Sequence, residues 1–401
     1  MFSTCVLKVT AWCNLNCTYC YMFNQADRTF ARVPRALDSD LSLRVLGRIR
    51  DHYVEHGLSQ FTIVLHGGEP TLWPDAFLRR FLDAVTKMRD DGINLDVEMQ
   101  TNGYKLRPST RAVLRNHGVR IGISLDGPPA VNDLHRVNHA GRGSYERVMS
   151  TVKALQEAED ADLIGGFLCV ADPDCAPSDF LAWAGSLPVP RLDVLWPIQY
   201  SYACPPWPLN GLNKYRESPR YGEWFAELFR LWWKNDDPEL HIRLFEQCIL
   251  WWLGGRRHAD MLVNDHVNMF VVNTDGGYEY PDYFRAHTDG GSRTRFNVDN
   301  HSITDLAGDG GFRYCLSLID YVPAECSGCD VLGLCGGGFL PGRMSDEAGL
   351  PRQKSVLCYD EYRFFTEVVS ILAPYERLKT TPRGTSHDAP SVGGAQASVP
   401  V

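Results

Sequence analysis

The chain has 401 residues, and its thirteen cysteines are the side chains best suited to metal binding or redox chemistry. Three of them, Cys13, Cys17 and Cys20, follow a CX3CX2C spacing near the start of the chain. Three thiolates at this spacing can bind three irons of a [4Fe–4S] cluster and leave the fourth iron open to a ligand, as a catalytic site requires. A zinc site would need a fourth ligand nearby, and the next candidates are distant in sequence. Zinc and chance cysteines are nevertheless the alternatives at this point.

A second cysteine group lies in the last quarter of the chain. Cys326, Cys329 and Cys335 form CX2CX5C, and Cys358 follows 23 residues later. Four thiolates can close a metal site, and spacing alone does not choose between zinc and an iron–sulfur cluster. Cys315 is an extra thiol, which is either a substitute ligand or a free buried cysteine. An odd number of clustered cysteines argues against a disulfide framework and indicates metal binding in a reducing compartment.

Composition excludes several classes of protein. Apolar residues make up 44% of the chain, enough for a large core, and the formal net charge of -9 argues against a general polyanion binder. No apolar run approaches the roughly 18 residues of a membrane helix, and the first residues lack a secretory signal. We therefore predict a soluble, cytoplasmic protein that binds neither nucleic acid nor a membrane.

Strand and helix patterns alternate through the first half of the chain. The predicted strands cover 5–10, 61–66, 94–101, 119–126, 163–170 and 191–198. Five of the six follow a helical segment, which requires parallel pairing with right-handed crossovers. Six units are too few for the closed eightfold barrel, so the pattern predicts an α/β fold built on a partial, TIM-like (β/α)6 barrel. Its chemistry is expected at the carboxyl ends of the strands.

The rest of the chain predicts a different organisation. The barrel is assigned to 1–215 and a helical bridge to 216–265. A smaller cysteine-rich domain over 266–374 contains a hairpin at 268–280. The tail over 375–401 is rich in Pro, Gly, Ser, Thr and Ala and is predicted to be disordered.

A bend with two glycines follows the second strand. It consists of His66, Gly67, Gly68, Glu69 and Pro70. Glycine lets the backbone approach a ligand closely, and a glutamate can accept hydrogen bonds from an ammonium group. One β-α unit after a CX3CX2C loop, this bend predicts a ligand site.

Together, CX3CX2C, GGEP after strand two and SLDGP after strand four resemble the radical S-adenosylmethionine (radical SAM) superfamily, over residues 5 to about 200. The resemblance implies that the amine and carboxylate of S-adenosylmethionine chelate the open iron. The reduced cluster then cleaves the sulfonium to give a 5′-deoxyadenosyl radical, which takes a hydrogen from the substrate.

The resemblance also implies which residues hold this cofactor. The methionyl amine is expected to meet Glu69 and the Gly67–Gly68 backbone, with His66 and Pro70 in the same bend. Tyr19 matches an aromatic near the adenine. Ser124 and Arg136 match contacts to the nucleoside or carboxylate, and Asp126 is expected to shape their loop, with strand-end capping or a surface ion pair as alternatives.

The late cysteines resemble the SPASM extension of radical SAM enzymes, an iron–sulfur-binding domain that carries auxiliary [4Fe–4S] clusters on seven cysteines. Three departures are visible: Phe339 replaces one expected cysteine, Asp282 replaces or displaces another, and no CX5C-type pair precedes the hairpin. The resemblance therefore implies one auxiliary [4Fe–4S] cluster, on Cys326, Cys329, Cys335 and Cys358. Asp282 is the predicted catalytic base, against the alternative of an ordinary turn aspartate.

The segments CGGGFLPGR (335–343) and SVLC (355–358) resemble peptide maturases that form three-residue cyclophanes. This implies a carbon–carbon crosslink in a ribosomally made precursor peptide, with a flavodoxin- or ferredoxin-type electron donor. No leader-binding domain is expected before the barrel. The alternatives are a formylglycine-forming sulfatase maturase, a thioether-forming enzyme and a scaffold without activity.

Overall fold

The computed structural model describes residues 1–208, 210–255, 267–345 and 351–375. Within them, ten strands form one sheet, in the order β10-β9-β8-β1-β2-β3-β4-β5-β6-β7. The strands are β1 Thr4–Thr10, β2 Phe61–Gly67, β3 Leu95–Thr101, β4 Arg120–Ser124, β5 Ile164–Val170, β6 Arg191–Leu195, β7 His241–Ile242, β8 Met269–Val272, β9 Gly277–Glu279 and β10 Arg293–Asn297.

The first seven strands pair in parallel, so β1 to β6 form the predicted partial barrel. Helices cross between them because the chain must return to the same edge before each new parallel strand. The helices are α1 Ser39–Glu55, α2 Asp75–Asp90, α3 Pro108–Asn116, α4 Pro129–His135, α5 Tyr145–Glu157, α6 Pro177–Gly185, α7 Leu212–Glu217, α8 Arg220–Asn235, α9 Arg243–Trp252, α10 Ile303–Leu306, α11 Gly310–Leu316, α12 Leu332–Cys335 and α13 Cys358–Leu372.

Local chemistry explains where several helices begin. Asp38 accepts hydrogen bonds from the amides of Asp40 and Leu41, which caps α1. Proline opens α3, α4 and α6, where a missing amide hydrogen costs nothing. The helix α4 lies inside the loop after β4 and was not predicted, because seven residues carry too little periodicity.

The C-terminal region joins the barrel sheet directly. Strand β8 pairs in parallel with β1, opposing Cys5 to Phe270. The predicted hairpin is present as β8 and β9, which pair antiparallel. Helix α13 packs on α8, where the rings of Phe225 and Phe364 lie 5.5 Å apart. The cysteine-rich region therefore shares both a sheet and a core with the barrel.

The pairing between β1 and β2 is irregular near the end of β1. Its pairing with β2 shifts register between Lys8 and Thr10, where Lys8 opposes His66 and Thr10 opposes Gly67. Such a bulge bends a strand and redirects its side chains, often beside a functional site.

Two predicted segments lie partly outside the described residues: the end of the bridge, over 256–265, and the tail, over 376–401. Among the helices that the structure describes, each is too short or too polar to cross a lipid bilayer.

Candidate functional site

A cavity of about 260 Å³ lies at the carboxyl ends of the barrel strands. Its wall includes residues at or just after the end of each strand from β1 to β6: Cys13, Gly68, Asn102, Asp126, Val170 and Trp196. The C-terminal region completes the wall with Met269, Val271, Asp282 and Phe339. The cavity is thus lined by residues from both parts of the chain.

The three thiols of the CX3CX2C loop line this cavity. The amide of Leu15 and the side-chain amide of Asn102 each donate to Cys13 Sγ at 3.4 Å. Burial raises the pKa of Cys13 to about 12, and the charge of Glu69 adds to the effect. Such a thiol stays protonated until a metal displaces its proton. In the part of the chain that the structure describes, no three His, Cys, Asp or Glu side chains are grouped to hold a single metal ion.

The GGEP bend is bonded to the cysteine loop through its backbone. Gly68 donates its amide hydrogen to the Thr10 carbonyl at 2.8 Å, and Glu69 donates to the Trp12 carbonyl at 2.9 Å. A side chain at Gly68 has no room, because its Cβ would lie 2.1 Å from the Trp12 carbonyl oxygen. The two glycines therefore allow the bend and the loop to touch.

The Glu69 carboxylate lies at the base of the bend and is bonded to the protein itself. It is fully buried and accepts hydrogen bonds from Thr101 Oγ1 at 2.6 Å, from the Asn102 amide at 2.7 Å and from the Thr71 amide at 2.9 Å. Burial raises its pKa, although these hydrogen bonds oppose the shift. His66, Gly67 and Gly68 line the cavity, whereas Glu69 and Pro70 lie behind it. In this arrangement Glu69 positions the loop after β3.

Tyr19, Asp126 and Arg136 form one hydrogen-bonded cluster that also lines the cavity. Tyr19 donates to Asp126 Oδ2, and Arg136 Nη1 donates to the Tyr19 hydroxyl at 2.8 Å. Burial raises the pKa of Asp126, while the charge of Arg136 opposes that rise. Ser124, the last residue of β4, accepts a hydrogen bond from Gln100 Nε2 at 2.8 Å. With His66, Gly67 and Gly68, the structure thus brings seven of the predicted binding residues to one cavity.

Asp282 stands on the wall contributed by the C-terminal region. Its Oδ1 accepts a hydrogen bond from Lys8 Nζ, and its Oδ2 accepts one from the Tyr21 hydroxyl at 3.2 Å. Burial raises the pKa of Asp282, but the positive charges of Lys8 and Arg285 outweigh it, so the pKa lies below the usual range. The cavity therefore contains an ionised carboxylate at neutral pH.

The second cysteine group lies around α12 and the start of α13. Burial raises the pKa of Cys358 to about 12, and Cys326 and Cys329 are near enough to add to the shift. Glu361, one turn into α13, accepts from the Phe339 amide at 2.6 Å. Cys315 packs in an apolar cluster with Phe284 and Leu318.

Comparison with known proteins decides the kind of domain. The family model described as the Radical SAM superfamily matches residues 7–167. The chain contains a radical SAM domain. This match spans β1 to β5 of the barrel, including the CX3CX2C loop and the GGEP bend. It confirms the predicted enzyme class and cofactor pair, a [4Fe–4S] cluster with S-adenosylmethionine.

Similarity extends beyond the radical SAM domain to nearly the whole chain. A serine-type anaerobic sulfatase-maturating enzyme of Bacteroides thetaiotaomicron is 24% identical over 390 residues, covering 92% of this chain and 89% of that protein. A cysteine-type enzyme of Clostridium novyi is 24% identical over 389 residues, covering 90% and 93%. The solved structure of native anSMEcpe with bound AdoMet superposes with a TM-score of 0.76 at 19% identity, covering 92% of this chain and 98% of that one. The structural likeness confirms the α/β fold with a cysteine-rich C-terminal region.

Unpartnered polar atoms in the radical SAM domain fit its polar cofactor. His66 Nδ1, Gln100 Oε1 and Arg136 Nε are buried without a hydrogen-bond partner, and all three residues line the cavity. Buried polar atoms are nearly always paired, so these atoms indicate a polar ligand. S-adenosylmethionine supplies an amine, a carboxylate and hydroxyls for them. The donor set and the three thiols therefore fit the cluster and its ligand.

Sequence analysis missed Lys8, Gln100 and Asn102. Lys8 is a lone charge in the apolar strand β1, and a charge at such a position is itself a signal. Gln100 and Asn102 flank the end of β3, where barrel strands carry functional residues. The polar run QTN at a strand end was therefore available as a second signal.

The close contact at Gly68 gives a first testable prediction. Gly68→Ala is expected to push the bend away from the cysteine loop and to reduce the iron retained after anaerobic reconstitution by half or more. Iron and sulfide analysis measures this. Gly47→Ala in α1 is the matched control, because a Cβ there meets nothing within 4 Å. Equal iron contents in the two variants would contradict the prediction.

Proposed function

We propose that this enzyme oxidises a side-chain carbon of a peptide or protein by radical SAM chemistry, in the manner of the sulfatase-maturating enzymes. The observation that carries the proposal is the Asp282 carboxylate on the wall of the cavity that the three CX3CX2C thiols also line. The two full-length relatives support it, because their names describe modification of a protein substrate.

The cofactors are assigned to named residues within this proposal. Cys13, Cys17 and Cys20 hold the first [4Fe–4S] cluster, and Cys326, Cys329, Cys335 and Cys358 hold one auxiliary [4Fe–4S] cluster. His66 and the Gly67–Gly68 backbone would contact S-adenosylmethionine, and so would Ser124, Arg136 and the Tyr19–Asp126 pair, since all of them line the same cavity. Glu69 acts from behind by fixing the Asn102 amide.

When bound, these groups supply a carbon-centred radical and a one-electron acceptor. Hydrogen abstraction from a substrate carbon leaves a radical that must lose one proton and one electron to give the oxidised product. Asp282 is ionised and is placed to accept the proton. Val6, Met22, Leu168 and Phe339 make much of the wall apolar, which excludes water from the radical.

The experiment uses the anaerobically reconstituted full chain with dithionite and two sets of peptides. One set derives from sulfatases and carries Ser, Cys or Ala at the target position. The other is encoded by any short open reading frame beside the gene. An aldehyde on the Ser or Cys peptide, captured by a hydrazide, supports the proposal. Absence of any modified peptide, with 5′-deoxyadenosine formed, would refute it.

Formation of a three-residue cyclophane stays a prediction, and the same assay distinguishes it from formylglycine formation. A carbon–carbon crosslink and the oxidation of serine to formylglycine both remove two hydrogens. Only the serine product reacts with a hydrazide, and only the crosslinked peptide resists fragmentation between the joined residues. A flavodoxin- or ferredoxin-type electron donor also stays a prediction, tested by replacing dithionite with each protein.

A further inference from the structure

Five charged side chains are buried together between the barrel and the C-terminal region. Four are fully buried and one is 16% exposed: Lys8, Asp27, Glu279, Arg285 and Asp282. A buried charge is costly unless it is paired and hydrogen-bonded, so this group needs an explanation. We call it the buried ion network.

The network connects three segments that are distant in sequence. Lys8 of β1 bonds to Asp282 and lies 3.9 Å from Glu279 at the end of β9. Arg285 bonds to Glu279 and to Asp27, which follows the cysteine loop, at 2.5 Å. Each cation thus touches more than one acid, and each acid has a cation.

Lys8 is the member of the network that bonds directly to two residues of the cavity wall, Asp282 and Met22. Its ammonium emerges from β1 at the register shift, opposite His66. It also donates to Met22 Sδ at 3.3 Å, and Met22 lines the cavity. No local helix or strand requirement calls for a lysine there, because every other residue from Cys5 to Thr10 is a buried residue without charge.

We propose that Lys8 is a positioning residue, which draws the Asp282 carboxylate to the cavity wall and, with Arg285, clamps residues 279–285 onto β1 and the cysteine loop. The relevance of this positioning to catalysis rests on the proposed function, in which Asp282 is the base. The ion pairs themselves can be tested without any substrate.

The charged and titratable groups that face Asp282 come from four elements. Lys8 belongs to β1, Tyr21 to the cysteine loop, and His66 to β2. Arg285 belongs to the turn that Asp282 opens and lies within 3.2 Å of it. Burial lowers the pKa of Lys8, whereas Asp282 and Glu279 oppose that shift and favour the ammonium form. Lys8 is the first of the charges that lower the pKa of Asp282, so its loss should act on Asp282 above all.

The test is a double-mutant cycle on the reconstituted full chain, with Lys8→Met, Asp282→Asn and the double variant. Lys8→Met leaves Asp282 buried without its main partner, so its melting temperature at about pH 8 should fall by on the order of 5 °C. Adding Asp282→Asn removes the carboxylate that then pairs with Arg285 but not with Lys8, and it should restore about half of that loss.

The pH dependence distinguishes positioning from simple packing. In the wild type the lowered pKa of Asp282 stabilises the fold above the usual aspartate pKa, and this stability is lost as pH falls through the folded value. In Lys8→Met the pKa of Asp282 rises, because Arg285 is then its remaining cationic partner, so lowering the pH towards about 5 increasingly neutralises the buried carboxylate. The melting difference between wild type and variant should therefore shrink from about pH 8 to about pH 5.

Arg111→Met is the matched control, since it removes a cation from Asp160, far along the chain from the cavity. Its melting difference should not depend on Asp282→Asn. A Lys8→Met loss that is equal at both pH values and is not rescued by Asp282→Asn would overturn the proposal. Because no peptide is used, that result would leave the proposed function standing.

Discussion

Replacing Cys13, Cys17 and Cys20 together by alanine is expected to abolish 5′-deoxyadenosine formation and to remove about four of about eight irons per chain. The physical reason is that these three thiols line the cavity beside the GGEP bend, whereas the second cysteine group lies around α12 and α13. The measurement is iron and sulfide analysis after anaerobic reconstitution, with 5′-deoxyadenosine quantified under dithionite.

The exposed thiol of Cys204 provides the control, and Cys204→Ala should keep both the iron and the activity. About four irons with one zinc in the unmodified chain would assign zinc to the second group. About four irons that persist in the triple variant, with no 5′-deoxyadenosine from either protein, would favour a scaffold without activity.

Asp282→Asn is expected to lower formation of the oxidised peptide by about a hundredfold or more, the usual contribution of a general base. Cleavage of S-adenosylmethionine should change by less than about twofold, because Asp282 bonds to Lys8 and Tyr21 and not to the predicted cofactor residues. The readout is the ratio of modified peptide to 5′-deoxyadenosine, with the peptide that the function assay selects.

Asp289→Asn is the matched control, because that aspartate lies seven residues after Asp282, is exposed and pairs with the distant Arg32. The lowered pKa of Asp282 adds a pH criterion. Its carboxylate is ionised at every pH above the usual aspartate range, so product formation should not rise through a step near neutrality. A step near pH 7, or full product yield from the asparagine variant, would assign the proton to another group.

The barrel was predictable because its signals are local. Buried parallel strands such as β2 and β5 read as short apolar runs, and α1 and α2 show helical periodicity with identifiable first turns. The pairing of β8 with β1 was not predictable in the same way. It joins residues more than 260 positions apart, and nothing in either short strand names its partner.

The site shows the same division. Residue types and spacing indicated the cysteine loop and the bend as a ligand site, and the resemblance to SPASM enzymes indicated Asp282 as the base. The sequence did not indicate that the Glu69 carboxylate accepts hydrogen bonds from Thr101, Asn102 and Thr71, because such bonds depend on how two strand ends approach each other. Lys8 was overlooked because its partner lies 274 residues away.

The shared sheet has a practical consequence for anyone who wishes to dissect this protein. A fragment ending before β8 would strip β1 of its neighbour and turn a central strand into an open edge. An unpaired strand edge tends to pair with other chains, and in this fragment Lys8 would also lose its partner Asp282. A minimal catalytic fragment cut at the end of the family match should therefore aggregate. A tag or other insertion should therefore be placed in a surface loop and not where it would separate β8 from β1.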